Sequence, residues 1–303
     1  MSAVDEEKVV EATCCCASCG KPEVDDVKLK ICTACKLVKY CSTDQKNHRS
    51  QHKKACKKRA AELRENRLFT QPDESHLGEC PICCLPLPLD YTKWTMNTCC
   101  CKRICLGCDH ANKKREYEQR LEYKCAYCRE PMPTSQEEID QNYMERVKAN
   151  DPVAIYNMGE KCYEEGDYGG AFHYYTKATE LGNIQAHFFL SLMYYKGEGV
   201  EKDMKKQSYH LEEAAIGGHP DARYNLGIFE KKNTRIERAA KHFIIASKLG
   251  LDDALEQVKT LFSWGAVSKE DFEAALRGHQ AALDATKSKQ RDESYECFQQ
   301  FSN

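Results

Sequence analysis

The sequence has no apolar run long enough to cross a bilayer. Its longest uncharged stretch, Leu181 to Tyr195, is 15 residues and includes Asn, Gln and His, whereas a span takes about 20 apolar residues. A membrane partner is therefore not expected. Excess charge of one sign is also missing: 45 Lys and Arg face 47 Asp and Glu, a formal net charge of −2. That balance excludes a bulk nucleic-acid binder and a disordered polyelectrolyte. The opening MSAVDEEKVVEATCC shows neither the basic start nor the apolar stretch of a secretory signal, and its acidity is unlike a transit peptide. An intracellular, reducing setting (cytoplasm, nucleus or both) is the expectation. Two enzymatic signatures are missing as well. The glycines of Gly197–Val200 are not followed by Lys-Ser/Thr and no strand precedes them, so they do not form a phosphate loop. No nucleophile–base set or pair of carboxylates stands out, which argues against a hydrolase or transferase working through its own side chains.

What the chain has in abundance is cysteine, and it is placed unevenly. Of 20 cysteines, 18 precede residue 129, leaving only Cys162 and Cys297 for the remainder. A disulfide framework needs an oxidising compartment, so clustered thiols in a reducing one are better explained as metal ligands.

The first cluster carries Cys16-x2-Cys19, Cys32-x2-Cys35, Cys41 and His52-x3-Cys56. Two residues between thiolates let both reach one ion from a tight turn, and His-x3-Cys sets two ligands on adjacent helical turns. The stretch Cys32-Thr-Ala-Cys35-x4-Tyr40-Cys41-Ser42, followed by His48 and His52-Lys53-x2-Cys56, resembles the MYND zinc finger. The resemblance implies two interleaved zincs. Cys32, Cys35, His52 and Cys56 would form one complete site, while Cys16, Cys19 and Cys41 would begin the other. The sequence departs from the family where Asp44 and Gln45 stand near an expected cysteine, and His48-Arg49 replaces the usual His-Trp. The fourth ligand of the second site is thus open among Asp44, His48, Cys14 and Cys15, and that site could also be empty. Residues 46–67 hold nine Lys/Arg against two Glu. Without interleaved aromatics this reads as a solvated basic helix, and nucleic acid is not an expected partner.

The second cluster reads Cys80-Pro-Ile82-Cys83, then Cys99-Cys100-Cys101, Cys105-x2-Cys108, and Cys125-Ala-Tyr-Cys128-Arg129. Three Cys-x2-Cys pairs around a cysteine run are a specific zinc signature, and they resemble an all-cysteine RING finger. In that family ligand pairs one and three share one zinc, and pairs two and four share another. The resemblance therefore assigns Cys80, Cys83, Cys105 and Cys108 to one ion. Cys125 and Cys128 would join two of Cys99, Cys100 and Cys101, with Cys99 and Cys100 preferred because Cys101 falls where such fingers often have glycine. RING fingers commonly act as ubiquitin ligases by positioning a charged conjugating enzyme, without covalent chemistry of their own. The family's contact points map onto Ile82, Pro131 and Arg129, whereas the helix position that is often aromatic is Asn112 or Lys113. Each also has a plain structural explanation: Ile82 as core, Pro131 as a turn, Arg129 as a surface charge.

From residue 150 the periodicity turns helical and repetitive. Ala154, Ala186, Ala222 and Ala254 recur at spacings of 32, 36 and 32, with helix-opening Asp, Asn or Pro nearby. Small residues at fixed offsets (Gly159, Ser191, Gly227; Ala178, Ala215, Ala246) allow close helix pairs. These units, with the Gly197-x-Gly199-Val200-x2-Asp203 loop, resemble Sel-one-like repeats, relatives of the tetratricopeptide repeat. The resemblance implies a solenoid whose concave face binds another protein. The expected architecture is mainly α: two small zinc-stabilised cross-brace domains followed by a solenoid of helical hairpins. The boundaries are a MYND-like finger over 14–56, a basic helical linker over 57–77, a RING-like finger over 78–133, repeats over 150–285 and a flexible tail over 286–303. Three to four Zn²⁺ ions are expected, with proteins as partners. Two functions remain open: a non-catalytic adaptor, or a ubiquitin ligase that recruits a conjugating enzyme through the second finger and substrate through the solenoid.

Overall fold

The computed structural model describes residues 30–32, 39–40 and 49–301. The chain divides into two compact units, one ending at Thr70 and the other beginning at Gln71. In the first, β1 (Lys30–Ile31) pairs antiparallel with β2 (Lys39–Tyr40), and helix α1 spans Arg49–Phe69. The segment RSQHKKACKKRAAELRENRLF is rich in Ala, Arg, Lys, Glu and Leu, which lose little freedom in a helix. The helix is therefore continuous across the expected finger–linker boundary at residue 57.

The second unit begins with a small cysteine-built domain. The hairpin of β3 (Trp94–Asn97) and β4 (Lys102–Cys105) pairs Trp94 with Cys105 and Asn97 with Lys102. Helix α2 (Leu106–Glu118) follows directly. The core consists of Leu77, Leu87 and Ile104 together with the buried Cys80, Cys100, Cys105, Cys108 and Cys125. Thiols thus supply most of the core positions, as expected of a domain too small to stabilise itself by apolar burial alone.

After α3 (Gln136–Lys148), three helical hairpins follow: α4 (Pro152–Glu164) with α5 (Tyr168–Glu180), α6 (Ile184–Lys196) with α7 (Met204–Ile216), and α8 (Pro220–Lys232) with α9 (Ile236–Lys248). Most of these helices start on a side-chain cap: Asp151, Asp167, Asn183, Asp203 and His219 each accept from backbone N–H groups of the first turn. The four repeating alanines are completely buried. Where the first helix of a hairpin carries glycine, an aromatic ring of the second fills the space. A Cβ on Gly159 would lie 2.7 Å from the Tyr175 ring, and one on Gly227 would lie 2.6 Å from the Phe243 ring. Helices α10 (Asp252–Ser263) and α11 (Lys269–Ala285) close the array, the latter capped by Ser268.

The expected flexible tail over 286–303 is corrected by the structure. Helix α12 (Lys289–Phe301) forms there and packs on α2, with Arg291 and Ser294 buried. The cause is a long-range contact: Arg291 enters the cysteine-built domain, which no local pattern announces.

The same domain lies against the first helices of the repeats. Asn157 of α4 donates to Met96 Sδ (3.5 Å), and His76 stacks on His219 at 4.1 Å. The His76 backbone N–H also donates to Gly218 O (3.1 Å), and Arg146 of α3 donates to Cys100 O (3.5 Å). Part of the repeat surface is therefore covered by the chain itself.

Candidate metal centre

Two short hydrogen-bonded loops build the outer halves of the cysteine-rich domain, and they share one design. An isolated bridge, Glu79 with Pro86, closes the loop holding Cys80 and Cys83, and a bridge of Lys124 with Pro131 closes the loop holding Cys125 and Cys128. In the first, Cys80 N–H donates to Leu85 O and Cys84 N–H donates to Cys80 O. In the second, Cys125 N–H donates to Glu130 O and Arg129 N–H donates to Cys125 O. The residue after the second thiol takes a left-handed conformation in both, Cys84 at φ 54° and Arg129 at φ 66°. That turn aims both thiols of each loop to the same side. Cys101 adopts φ 51°, a conformation that favours glycine.

These loops place eight sulfurs in two groups. Cys80, Cys83, Cys105 and Cys108 form one and Cys99, Cys100, Cys125 and Cys128 the other, each with all ligand atoms within 4.8 Å of one another. The grouping is interleaved, since the first and third pairs share one cluster and the second and fourth share the other. Four thiolates at about 2.3 Å from a tetrahedral zinc are about 3.8 Å apart. Cys83 and Cys105 sulfurs lie 3.8 Å apart, as do those of Cys100 and Cys125, and Cys99 and Cys128 are 3.3 Å apart. These separations far exceed a disulfide bond and match a shared cation. Amide donors surround the sulfurs: Asn97 Nδ2 donates to Cys125 Sγ (3.2 Å), Tyr127 N–H to Cys125 Sγ (3.4 Å) and Cys105 N–H to Cys80 Sγ (3.5 Å). Such bonds orient thiolates and stabilise their charge.

Without a cation the two groups cannot ionise fully. Burial pushes the Cys100 and Cys108 thiols up to about 12, and the neighbouring sulfurs add to the rise. Cys99 is raised further by burial and by the Cys128 contact, and Cys105 by its contact with Cys80 and by burial. Cys80 moves the other way, down to about 4, because Cys105 donates to it. A divalent soft-ligand cation removes this conflict by accepting four thiolates at once. These cysteine clusters fit Zn²⁺.

The other predicted ligands fall mostly outside the described residues, namely Cys16, Cys19, Cys35 and Cys41. His52 lies on α1, with its side chain outside the described part. Cys32, directly after β1, and Cys56, on α1, have sulfurs 3.6 Å apart, a separation that suits two ligands of one ion.

The three partner-contact positions behave differently from one another. Ile82 is 42% exposed at the tip of the first loop, so it is not core. Pro131 sits in the bridge with Lys124. Arg129 is committed within the chain: it donates to Asn112 Oδ1 (2.7 Å) and to the fully buried Glu116 carboxylate (2.8 Å). Glu116 also accepts from Lys124 N–H and Asn112 Nδ2. Burial alone would raise the Glu116 pKa, but these donors and the Arg129 charge outweigh it and hold the carboxyl below its ordinary range. Sequence reasoning missed Glu116, Asn97 and Arg291. Glu116 looks like any charge on a polar helix, and Arg291 acts on a thiol 208 residues away.

The MYND finger model matches residues 16–56, and the Sel1 repeat model matches 152–183, 184–219 and 220–251. The chain therefore contains a MYND finger and three Sel1 repeats. Two curated relatives from Helicobacter pylori, both called "Putative beta-lactamase HcpC", match over short stretches. The strain J99 protein is 41% identical over 56 residues (18% of this chain, 19% of the relative), and the strain 26695 protein is 40% identical over 52 residues (17% and 18%). The chain thus spans less than a fifth of the length of these relatives. Among solved structures, a Sel1 repeat protein from Oxalobacter formigenes is 23% identical with a TM-score of 0.44, covering 56% of this chain and 50% of that one. The protective antigen c5321 of uropathogenic Escherichia coli, described as displaying an SLR fold, is 20% identical with a TM-score of 0.40, covering 56% and 37%.

Proposed function

We propose that this protein is a zinc-dependent adaptor that brings other proteins together, with the MYND finger, the second cysteine domain and the Sel1 repeats as its binding modules. The observation that carries this reading is the combination of a MYND finger and three Sel1 repeats in one chain. The thiol chemistry is spent on holding metal, and metal binding supplies folding energy to each finger. Thiolate coordination suits a reducing intracellular compartment. The exposed aromatics on the repeats, including Tyr195, Tyr209 and Phe229, offer contact area of the kind interfaces favour.

The test is partner capture with the full chain, loaded with zinc or stripped by chelator. A reproducible set of bound proteins should depend on zinc and survive Ile82→Ala. The same set on chelated protein would refute the reading. Native mass spectrometry should find four zincs, or three if the site of Cys16, Cys19 and Cys41 is empty.

A second reading, ubiquitin-protein ligase, is favoured by the interleaved tetrads and by exposed Ile82 beside them. On this reading Ile82 and Pro131 would receive a conjugating enzyme, and Arg129 would have to leave Glu116 to reach ubiquitin. Zinc-loaded protein should then discharge ubiquitin from at least one member of a broad conjugating-enzyme panel, and Ile82→Ala should abolish it. No discharge across the panel removes the ligase reading.

A further inference from the structure

Between the cysteine domain and the first helices of the repeats lies a cavity of about 430 Å³. Tyr91 and Trp94 line it from the finger side, and Tyr156, Phe188 and Phe189 from α4 and α6. Its walls are aromatic, but its polar groups are out of balance. Arg103 of β4 lines the cavity with its guanidinium 5.6 Å from the Trp94 ring centroid, and this side chain has no hydrogen-bond or ion-pair partner among the described residues. Trp94 Nε1–H is buried without an acceptor.

His219 adds a third donor. Its ring is 1% exposed and sandwiched between His76 (4.1 Å) and Phe188 (4.3 Å). Burial lowers its pKa well below the ordinary histidine range, so it is neutral. Its Nδ1 accepts from Ala222 N–H as the cap of α8, which leaves the proton on Nε2, and Nε2 has no partner. Asn157 finds only a thioether for an acceptor. On the acceptor side, Glu160 is already engaged by the Tyr156 hydroxyl, the Asp221 carboxylate lies 3.8 Å from His219 Nδ1, and Gln185 Oε1 is buried and unpaired. Buried donors without acceptors are costly and rare in native proteins. Here two of them, Trp94 Nε1 and His219 Nε2, line one aromatic cavity together with the half-buried Arg103 guanidinium.

We infer that this cavity binds the C-terminal residue of a partner polypeptide, its carboxylate received by Arg103, its amide N–H by Gln185 and its apolar side chain by the Phe188–Phe189–Tyr156 wall. A carboxylate supplies the missing acceptors, and guanidinium is the cation best matched to it. The volume suits one or two residues of chain, within the range of small-ligand sites. The inference deepens the adaptor reading by naming what the partner presents, and it rests on that reading.

The test uses zinc-loaded full chain carrying Trp264→Phe, which leaves Trp94 as the sole tryptophan reporter. Three probes are titrated: the peptide AAAAAF with a free C-terminus, the same peptide amidated, and an amidated AAAAEF carrying an internal carboxylate. The free acid should bind and shift Trp94 fluorescence, with the plain amide at least tenfold weaker. Arg103→Met should erase the difference between acid and amide, and Arg103→Lys should keep part of it. Melting temperature and zinc content of each variant report whether the fold survives. Equal binding of acid and amide overturns the proposal, as does preference for the internal carboxylate. Absence of binding by the free acid up to millimolar concentration overturns it too. Zinc-dependent partner capture in the face of such a result would leave the adaptor reading standing and remove only this site.

Discussion

Removing the Arg291 side chain should loosen the second cysteine domain, even though Arg291 lies more than 160 residues beyond the last predicted ligand. Its guanidinium is 1% exposed. Nη1 donates to Pro86 O and Thr286 O at 2.7 Å, and Nη2 donates to Leu85 O (3.1 Å) and Cys83 Sγ (3.4 Å). Pro86 and Leu85 form the return strand of the first ligand loop, so one side chain ties α12 to the turn that aims Cys80 and Cys83. Hydrogen bonds from a charged donor contribute about 1.5–3 kcal/mol each. Water replaces part of this after truncation, so we expect Arg291→Ala to cost about 3–5 kcal/mol. For a unit of this size that lowers the melting temperature by about 10 °C. The loss should also appear as faster zinc transfer to a chromophoric chelator, because a tetrathiolate zinc site is anionic and loses its nearest cation. Arg291→Lys should recover less than half of the difference, since one ammonium cannot serve a planar fork of acceptors. Gly107→Leu provides an independent perturbation: a Cβ there would lie 3.0 Å from Arg291 Cα and N, so the larger side chain should push α12 away. A melting temperature within 2 °C of the parent and unchanged zinc transfer in both variants would refute the argument.

Three further outcomes are expected. Glu116→Gln should destabilise the cysteine domain at pH 7 by about 2 kcal/mol, through loss of the buried charge opposite Arg129. Because the Glu116 pKa is held below its ordinary value, its contribution is present above the unfolded carboxylate range and fades as pH falls through the folded value, so parent and variant should converge in acid melts. Zinc affinity should rise with pH: burial holds Cys100 and Cys108 protonated up to about 12 in the metal-free state, so each bound ion displaces protons. Competition titrations should give log affinity against pH with a slope above one, and a flat line would contradict the thiol assignment. Gly227→Leu should cost about 3 kcal/mol in chemical denaturation, since the Phe243 ring occupies the space its side chain needs, while the equivalent change at exposed Gly166, with open space around it, should cost mainly backbone strain.

How much of this was legible in the sequence depends on the range of the interaction involved. Cys-x2-Cys spacing reports a turn that two thiols share, so the three pairs were readable from local spacing, whereas their interleaving into two tetrads was implied by the resemblance to a RING finger. The choice of Cys99 with Cys100 over Cys101 came from the glycine-like position of Cys101, and the structure places those two sulfurs in the cluster and Cys101 at positive φ. The alanine and glycine periodicity was readable for a similar reason. Close helix pairing repeats every hairpin, and only small residues permit it. Contacts between modules leave no such trace. A polar C-terminal segment rich in charge reads as a frayed tail, because its one buried arginine is satisfied by carbonyls some 200 residues away. Arg129 reads as a free surface cation until tertiary structure pairs it with Glu116. The aromatic cavity at Arg103 exists only because a zinc-built hairpin and three repeat helices meet. Sequence by itself determined the metal chemistry and the repeat, both written in short periodic spacing. Tertiary structure alone decided which charges are spent internally and which remain unpaired, because pairing depends on surfaces that approach only after each module has folded.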